Sequence, residues 1–321
     1  PGIVSGVATA LVTSDSRMKK LVGLIALLSA CGCSPVADVP VIDCHVHLYD
    51  TTRPEGVTWP RPEQTALYRP HLPEHIIPMA RKNNVRGLVA MQAGQTLGDN
   101  QWNLDIIANQ PLFKGVIGNL STVIGTDQFK DEFLKLCENP RYLGYRLSGK
   151  YQDGFTPEFF RDLRLTAETG KPVDVLIGAY SLDDVATIAR EVPDLRIMID
   201  HIGNIRMSEK PDKDWVAAFT RLGTLPNVSC KISGLYSLYG THPAPRELSA
   251  YRPAIDLAVE TFGFDRLIFS SDWPVTEQTA DYTSVVNLVK SYFQPFGRDV
   301  LHKVLYGNAL KFYRIPDMDA V

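Results

Sequence analysis

Val41-Ile42-Asp43-Cys44-His45-Val46-His47 is the stretch that decides how this chain is read. A short apolar run ends in two histidines one residue apart. On a strand, residues i and i+2 share a face, so His45 and His47 project together from its C-terminal end. Two imidazoles at the end of a buried strand are costly unless they bind something. A metal ion or a polarised carbonyl is the usual reason.

Downstream, short β-branched runs alternate with amphipathic stretches. The candidate strands are 41–44, 87–91, 115–119, 143–147, 173–177, 196–200, 227–232 and 266–270. Helical patterns at 74–82, 128–138, 157–169, 182–191, 215–222 and 251–261 lie between or after them. Strands separated by helices indicate βα units and a parallel sheet. Eight such units in 321 residues fit an α/β (β/α)8 TIM-type barrel better than an open sheet. No repeat, low-complexity tract or linker interrupts the chain after residue 40, so residues 40–321 read as a single domain.

Residues 1–39 read as a leader and tether. Met18 is followed by Lys19 and Lys20, an apolar run from Leu21 to Leu28, and then Ser29-Ala30-Cys31. That order describes an export signal too short to span a bilayer as a helix. Leu28-Ser29-Ala30-Cys31 also matches a bacterial lipobox, which predicts lipidation at Cys31 and a place in the cell envelope or periplasm. Residues 1–17 precede the signal pattern. The formal net charge of −3, without a basic block, argues against nucleic-acid binding and leaves a small molecule as the expected partner. The five cysteines form no zinc-ribbon or disulfide pattern, and oligomeric state is not encoded in any feature of the sequence.

Active sites of such barrels form at the C-terminal ends of the strands. The first strand ends in His45 and His47. The fourth carries Arg146, in Gly144-Tyr145-Arg146. The sixth ends in Asp200-His201-Ile202-Gly203, and the eighth in Ser271-Asp272-Trp273-Pro274. Each alone has a structural explanation as a loop anchor or cap. Together they point to one mouth.

Those motifs, with Cys230-Lys231-Ile232-Ser233-Gly234-Leu235 and the closing Asn308-Ala309, occur in an order that resembles the amidohydrolase superfamily. The likeness is to its amidohydrolase-related branch, which holds sugar-acid lactonases and 2-pyrone-4,6-dicarboxylate lactonase. The resemblance implies a metal-dependent-hydrolase-like barrel in which His45, His47 and His201 surround the reacting carbonyl or a divalent metal. It implies that Asp272 handles the catalytic water, with a place in the ligand set as well. The expected activity is hydrolysis of a cyclic ester, the lactone of a sugar acid or of a carboxylated ring. Such chemistry needs a group that takes a proton from water and returns it to the leaving alkoxide. Arg146 matches a position facing the substrate, where a guanidinium fork suits a carboxylate. Its structural alternative is a salt bridge at the barrel mouth.

The chain departs from the fuller superfamily pattern. Arg146 stands where a lysine would be carboxylated, and the fifth strand, Val173-Asp174-Val175-Leu176-Ile177, ends without histidine. The site therefore holds one metal, zinc by its nitrogen and oxygen donors, or works without metal. Lys231 is a substrate contact if it points inward and a surface lysine if outward. Trp59 and Tyr68, in the long loop after the first strand, are candidates to stack on a sugar ring or to pin the loop. His242, in the loop after the seventh strand, is a further candidate contact. His71-Leu72-Pro73-Glu74-His75 spells an inverted zinc-protease motif, but Pro73 belongs at the first helical position and leaves His71 outside the helix. Two other functions compete with the lactonase: a zinc decarboxylase of the same branch, and a non-catalytic sugar-binding lipoprotein.

Overall fold

Eight parallel strands run in sequence order around one sheet: β1 (Val41–His47), β2 (Val85–Met91), β3 (Phe113–Asn119), β4 (Tyr142–Leu147), β5 (Val173–Val175), β6 (Ile197–Ile199), β7 (Val228–Ile232) and β8 (Leu267–Phe269). The computed structural model describes residues 39–149 and 154–316. The leader, including Cys31, lies outside the described residues. The connecting helices are α1 (Pro73–Lys82), α2 (Gly98–Ile106), α3 (Phe129–Cys137), α4 (Pro157–Glu168), α5 (Leu182–Glu191), α6 (Lys213–Leu222), α7 (Arg252–Phe262) and α8 (Tyr282–Phe293). A terminal helix, α9 (Asn308–Tyr313), follows. The eight-unit barrel expected from the alternation is the observed fold. Helix starts are written locally: Thr156 accepts from Phe159 N, Asp281 accepts from Ser284 N, and Ser181 pairs with Asp184 in a capping box. No helix among the described residues is long and apolar enough to cross a membrane.

The sheet closes between β1 and the segment after β8. Asp272 N donates to His45 O at 3.1 Å, and His47 N donates to Trp273 O at 2.8 Å. Closure itself therefore sets Asp272 beside the first-strand histidines. The β1–β2 register slips between Asp43 and Val46. This bulge shifts the inward–outward alternation by one residue. Ile42 and Cys44 pack in the barrel interior, and His45 and His47 face it as well. Asp43 pins the bulge from outside: Oδ1 accepts from His45 N at 3.2 Å and Ser271 N at 2.9 Å, and Oδ2 accepts from Tyr282 OH at 2.9 Å.

Pro73 occupies the first position of α1, and His71 lies before the helix, buried beside Tyr49 and Trp273. His75 accepts from Leu72 N, so the two histidines of the apparent protease motif serve different local bonds.

Candidate active site

A cavity of about 340 Å³ opens at the C-terminal end of the barrel, lined by groups that include His47, Trp59, Gln92, Arg146, His201, Ser237 and Asp272. That volume lies in the range of small-molecule sites. Asp272 Oδ1 sits 3.7 Å from His45 Nε2, 3.7 Å from His47 Nε2 and 3.9 Å from His201 Nε2. The other oxygen, Oδ2, accepts from Ser237 Oγ at 3.1 Å. Two strand ends, those of β1 and β6, and the closure segment thus deliver one carboxylate against three imidazoles. All four are 7% exposed or less.

The proton position of one ring follows from its partner. His47 Nδ1 faces the Met91 carbonyl at 3.2 Å, so it carries the hydrogen and Nε2 keeps a lone pair. Asp200 Oδ1 is buried and accepts no well-directed hydrogen bond, although Lys231 Nζ stands 3.1 Å away. His45 Nδ1 lies 3.4 Å from that oxygen and 3.4 Å from Lys231 Nζ. His45 Nε2 stands 3.1 Å from the lone pair of His47 Nε2, where it either donates a hydrogen to that nitrogen or shares a cation with it. Donor atoms about 3–4 Å apart suit a small divalent ion with ligand bonds of about 2.0–2.2 Å. Among the described residues, His45–His47–Asp272 and His45–Asp200–His201 are the groups able to hold such an ion.

Charge and burial inside the barrel are arranged to keep His45 and His201 neutral and the Asp272 carboxylate ionised. Burial pushes His45 well below the ordinary imidazole value, Asp200 only partly opposing it, and burial likewise lowers His201. Burial alone would raise Asp272, but the facing His201 and His47 bring it below the usual carboxylate value. Beneath the histidines lies a buried ion cluster. Lys231 Nζ bonds Asp174 and approaches Asp200, while Asp200 Oδ2 accepts from Arg146 Nε at 2.8 Å. Burial works against the Asp200 charge, yet Lys231 and Arg146 outweigh it and hold the carboxyl well below its usual value.

This cluster corrects the expectation for Lys231. The side chain does point inward, but it sits under His45, fully buried and walled off from the cavity by its own carboxylate partners. It does not line the cavity. Lys231→Met leaves Asp174 and Asp200 without their shared cation, and a loss of about 3–5 kcal/mol of stability is expected. Adding Asp174→Asn removes one charge of each sign and should recover most of that loss. Urea unfolding of the single and double variants measures both.

Two further expectations are corrected. Tyr68 is half-buried in the loop after β1 but does not line the cavity, because its turn, closed by Tyr68 N on Gln64 O, lies away from the mouth. His242 is exposed and also outside the cavity lining. Its loop dips into the mouth at Ser237 and Leu238 and has left it by residue 242. Trp59 does line the cavity, its ring 5.2 Å from that of His47. Arg146 lines it too, with Nε committed to Asp200 and no partner recorded for its terminal nitrogens among the described residues. Both roles expected of Arg146, salt bridge and cavity cation, are therefore present in its geometry.

Sequence reasoning missed Asp200, Ser233, Ser237, Gln92 and Gln95. Asp200 was visible as the residue before His201, but its role depends on partners from β4 and β7. The serines and amides carry no spacing signal. Trp59 is held by a clamp that was also unforeseen: Arg53 Nη2 donates to Asp99 Oδ1 at 2.7 Å and to Gly56 O at 3.0 Å, with its guanidinium 4.7 Å from the Trp102 ring. Arg53→Ala should loosen the loop carrying Trp59 and raise KM roughly tenfold with little change in kcat, the pattern of lost uniform binding. Steady-state kinetics checks it.

The amidohydrolase family model matches residues 42–315. L-fucono-1,5-lactonase of Burkholderia ambifaria is 29% identical over 282 residues, 85% of this chain and 95% of that protein. Among solved structures, an amidohydrolase of Burkholderia multivorans with bound zinc superposes with a TM-score of 0.74 at 23% identity, over 86% of this chain and 100% of that one. A probable 2-pyrone-4,6-dicarboxylic acid hydrolase of Acinetobacter baumannii, with citric acid bound, superposes with a TM-score of 0.67 at 20% identity, over 85% and 99%. At those identities the two structures speak for the barrel fold. The family model spans nearly all the described residues, motifs and barrel included: the chain belongs to the amidohydrolase family and is a hydrolase.

Proposed function

We propose that this hydrolase opens the ring of a neutral sugar-acid lactone. The observation that carries the reading is the buried Asp272 carboxylate, its Oδ1 3.7–3.9 Å from three imidazole nitrogens at the floor of the cavity. The lactonase named among its relatives supports the reaction class.

Asp272, ionised at neutral pH, accepts a proton from the attacking water as the water oxygen bonds the ester carbonyl carbon. The ring C–O bond then breaks, and Asp272 returns the proton to the departing alkoxide. The hydroxy acid so formed ionises, releasing one proton per turnover. Ser237 holds the second oxygen of Asp272 and limits rotation of the carboxylate. His45, His47, His201 and Asp272 would hold one divalent cation, with zinc suited to their nitrogen and oxygen donors. When bound, such an ion supplies Lewis-acid polarisation of the carbonyl and lowers the pKa of water.

The cavity's charge inventory favours a neutral substrate over a dicarboxylate. Among the described residues, beyond the imidazoles and Asp272, the charged lining residue is Arg146, whose Nε is already engaged by Asp200. Gln92, Gln95, Ser148 and Ser237 offer amide and hydroxyl groups suited to sugar hydroxyls, and Trp59 offers a face for the ring.

The test is a panel of aldonolactones and pyrone dicarboxylates, following proton release and carbon dioxide. Proton release from aldonolactones without carbon dioxide is expected. Carbon dioxide would support the decarboxylase instead, and stabilisation by ligand without turnover would support the binding protein.

A further inference from the structure

We propose that Ser233 is a positioning residue for His201, and that the end of β7, which supplies no ligand or base, is the seat of that imidazole. His201 opens four consecutive residues in the left-handed region, with φ of 54° at His201, 49° at Ile202, 66° at Gly203 and 56° at Asn204. For residues other than glycine this conformation is disfavoured by the clash of Cβ with the backbone. A turn of that kind persists only when its surroundings hold it.

Ser233 holds it. The residue is fully buried, and its Oγ accepts from the His201 backbone N at 3.2 Å and meets His201 Nδ1 at 2.8 Å. One oxygen thus fixes both the backbone of the turn and the orientation of the ring. Gly234, with φ of 66°, supplies the space: a Cβ there would stand 3.0 Å from His201 Cβ and 3.1 Å from Cγ. With Nδ1 bonded to Ser233, His201 Nε2 is aimed at Asp272 Oδ1, 3.9 Å away. Among the described residues Ser233 is the hydrogen-bond partner recorded for Nδ1. Its loss leaves the ring free to turn and to take either tautomer.

The inference rests on His201 belonging to the hydrolytic site, but its readouts use no lactone. In metal-free protein, long-range ¹⁵N–¹H spectra of the histidine rings report the tautomer directly. His201 is expected to hold a single tautomer in the parent and to populate both in Ser233→Ala. Zinc affinity, measured by competition with a chromophoric chelator, should fall about 10–100-fold in the same variant. Ser233→Thr keeps the hydroxyl and should restore both properties. A folded Ser233→Ala with the parent's tautomer and zinc affinity overturns the proposal. Should that variant fail to fold, a mixture of tautomers in Ser233→Thr overturns it instead. Absence of lactone turnover in the parent would count against the proposed reaction and leave the tautomer result standing.

Discussion

Asp272→Asn should lower kcat for lactone opening by about 10³-fold or more while leaving the barrel folded. The amide matches the carboxylate in size and can still accept from Ser237 Oγ, so packing and closure of the barrel are preserved. What is lost is the group that takes a proton from water and gives it back. Circular dichroism and melting temperature should match the parent, and residual turnover should sit near the uncatalysed rate. Turnover close to the parent's would remove Asp272 from the reaction. The pH profile of the parent provides a companion check. Because the facing imidazoles hold the Asp272 carboxyl below its ordinary value against the effect of burial, the base is deprotonated throughout the neutral range. An acid limb caused by this group should therefore lie below the usual carboxylate range, with activity falling as pH drops through it.

Removing divalent metal is expected to have the second large effect. Dialysis against a strong chelator should abolish turnover, and one equivalent of zinc should restore it. His45→Asn and His47→Asn should each weaken zinc binding at least about 100-fold, since each removes one of four closely set donors. Elemental analysis of the purified protein and calorimetric titration measure these effects. Full activity after metal removal would mean that the imidazoles polarise the carbonyl as hydrogen-bond donors. The Nε2 atoms of His45 and His47, 3.1 Å apart with Asp272 beside them, are spaced as donors to one cation.

Much of the fold was legible because barrel strands and helices differ in hydrophobic period, and period survives in one dimension. All eight strands lie where the β-branched runs placed them. The largest boundary shift is at β1, which runs three residues further than expected, to His47, while β5, β6 and β8 are each shorter than expected, three residues long in the structure. The site was legible in part for the same reason: strand ends are where this architecture gathers chemistry, so His45, His47, His201 and Asp272 could be grouped before any distance was known. Lys231 shows the limit. Alternation decides whether a side chain points inward, but not how deep in the barrel it sits, and depth separates a substrate contact from a buried counter-ion. Tyr68 and His242 show the same limit for loops, whose path depends on long-range anchors such as Arg53 on Asp99.

The amino-acid sequence by itself determined the element order, the strand ends that carry chemistry and the family motifs, because these depend on local periodicity and residue type. Only the tertiary structure decided how those groups meet. The bulge between Asp43 and Val46 turns both first-strand histidines inward together with Cys44. Barrel closure through Asp272 N on His45 O sets the carboxylate against them. A left-handed turn, held by Ser233, aims His201 at the same point. Each of these arises from contacts between residues distant in the chain, where register, depth and backbone hand are fixed by packing rather than by neighbours in sequence.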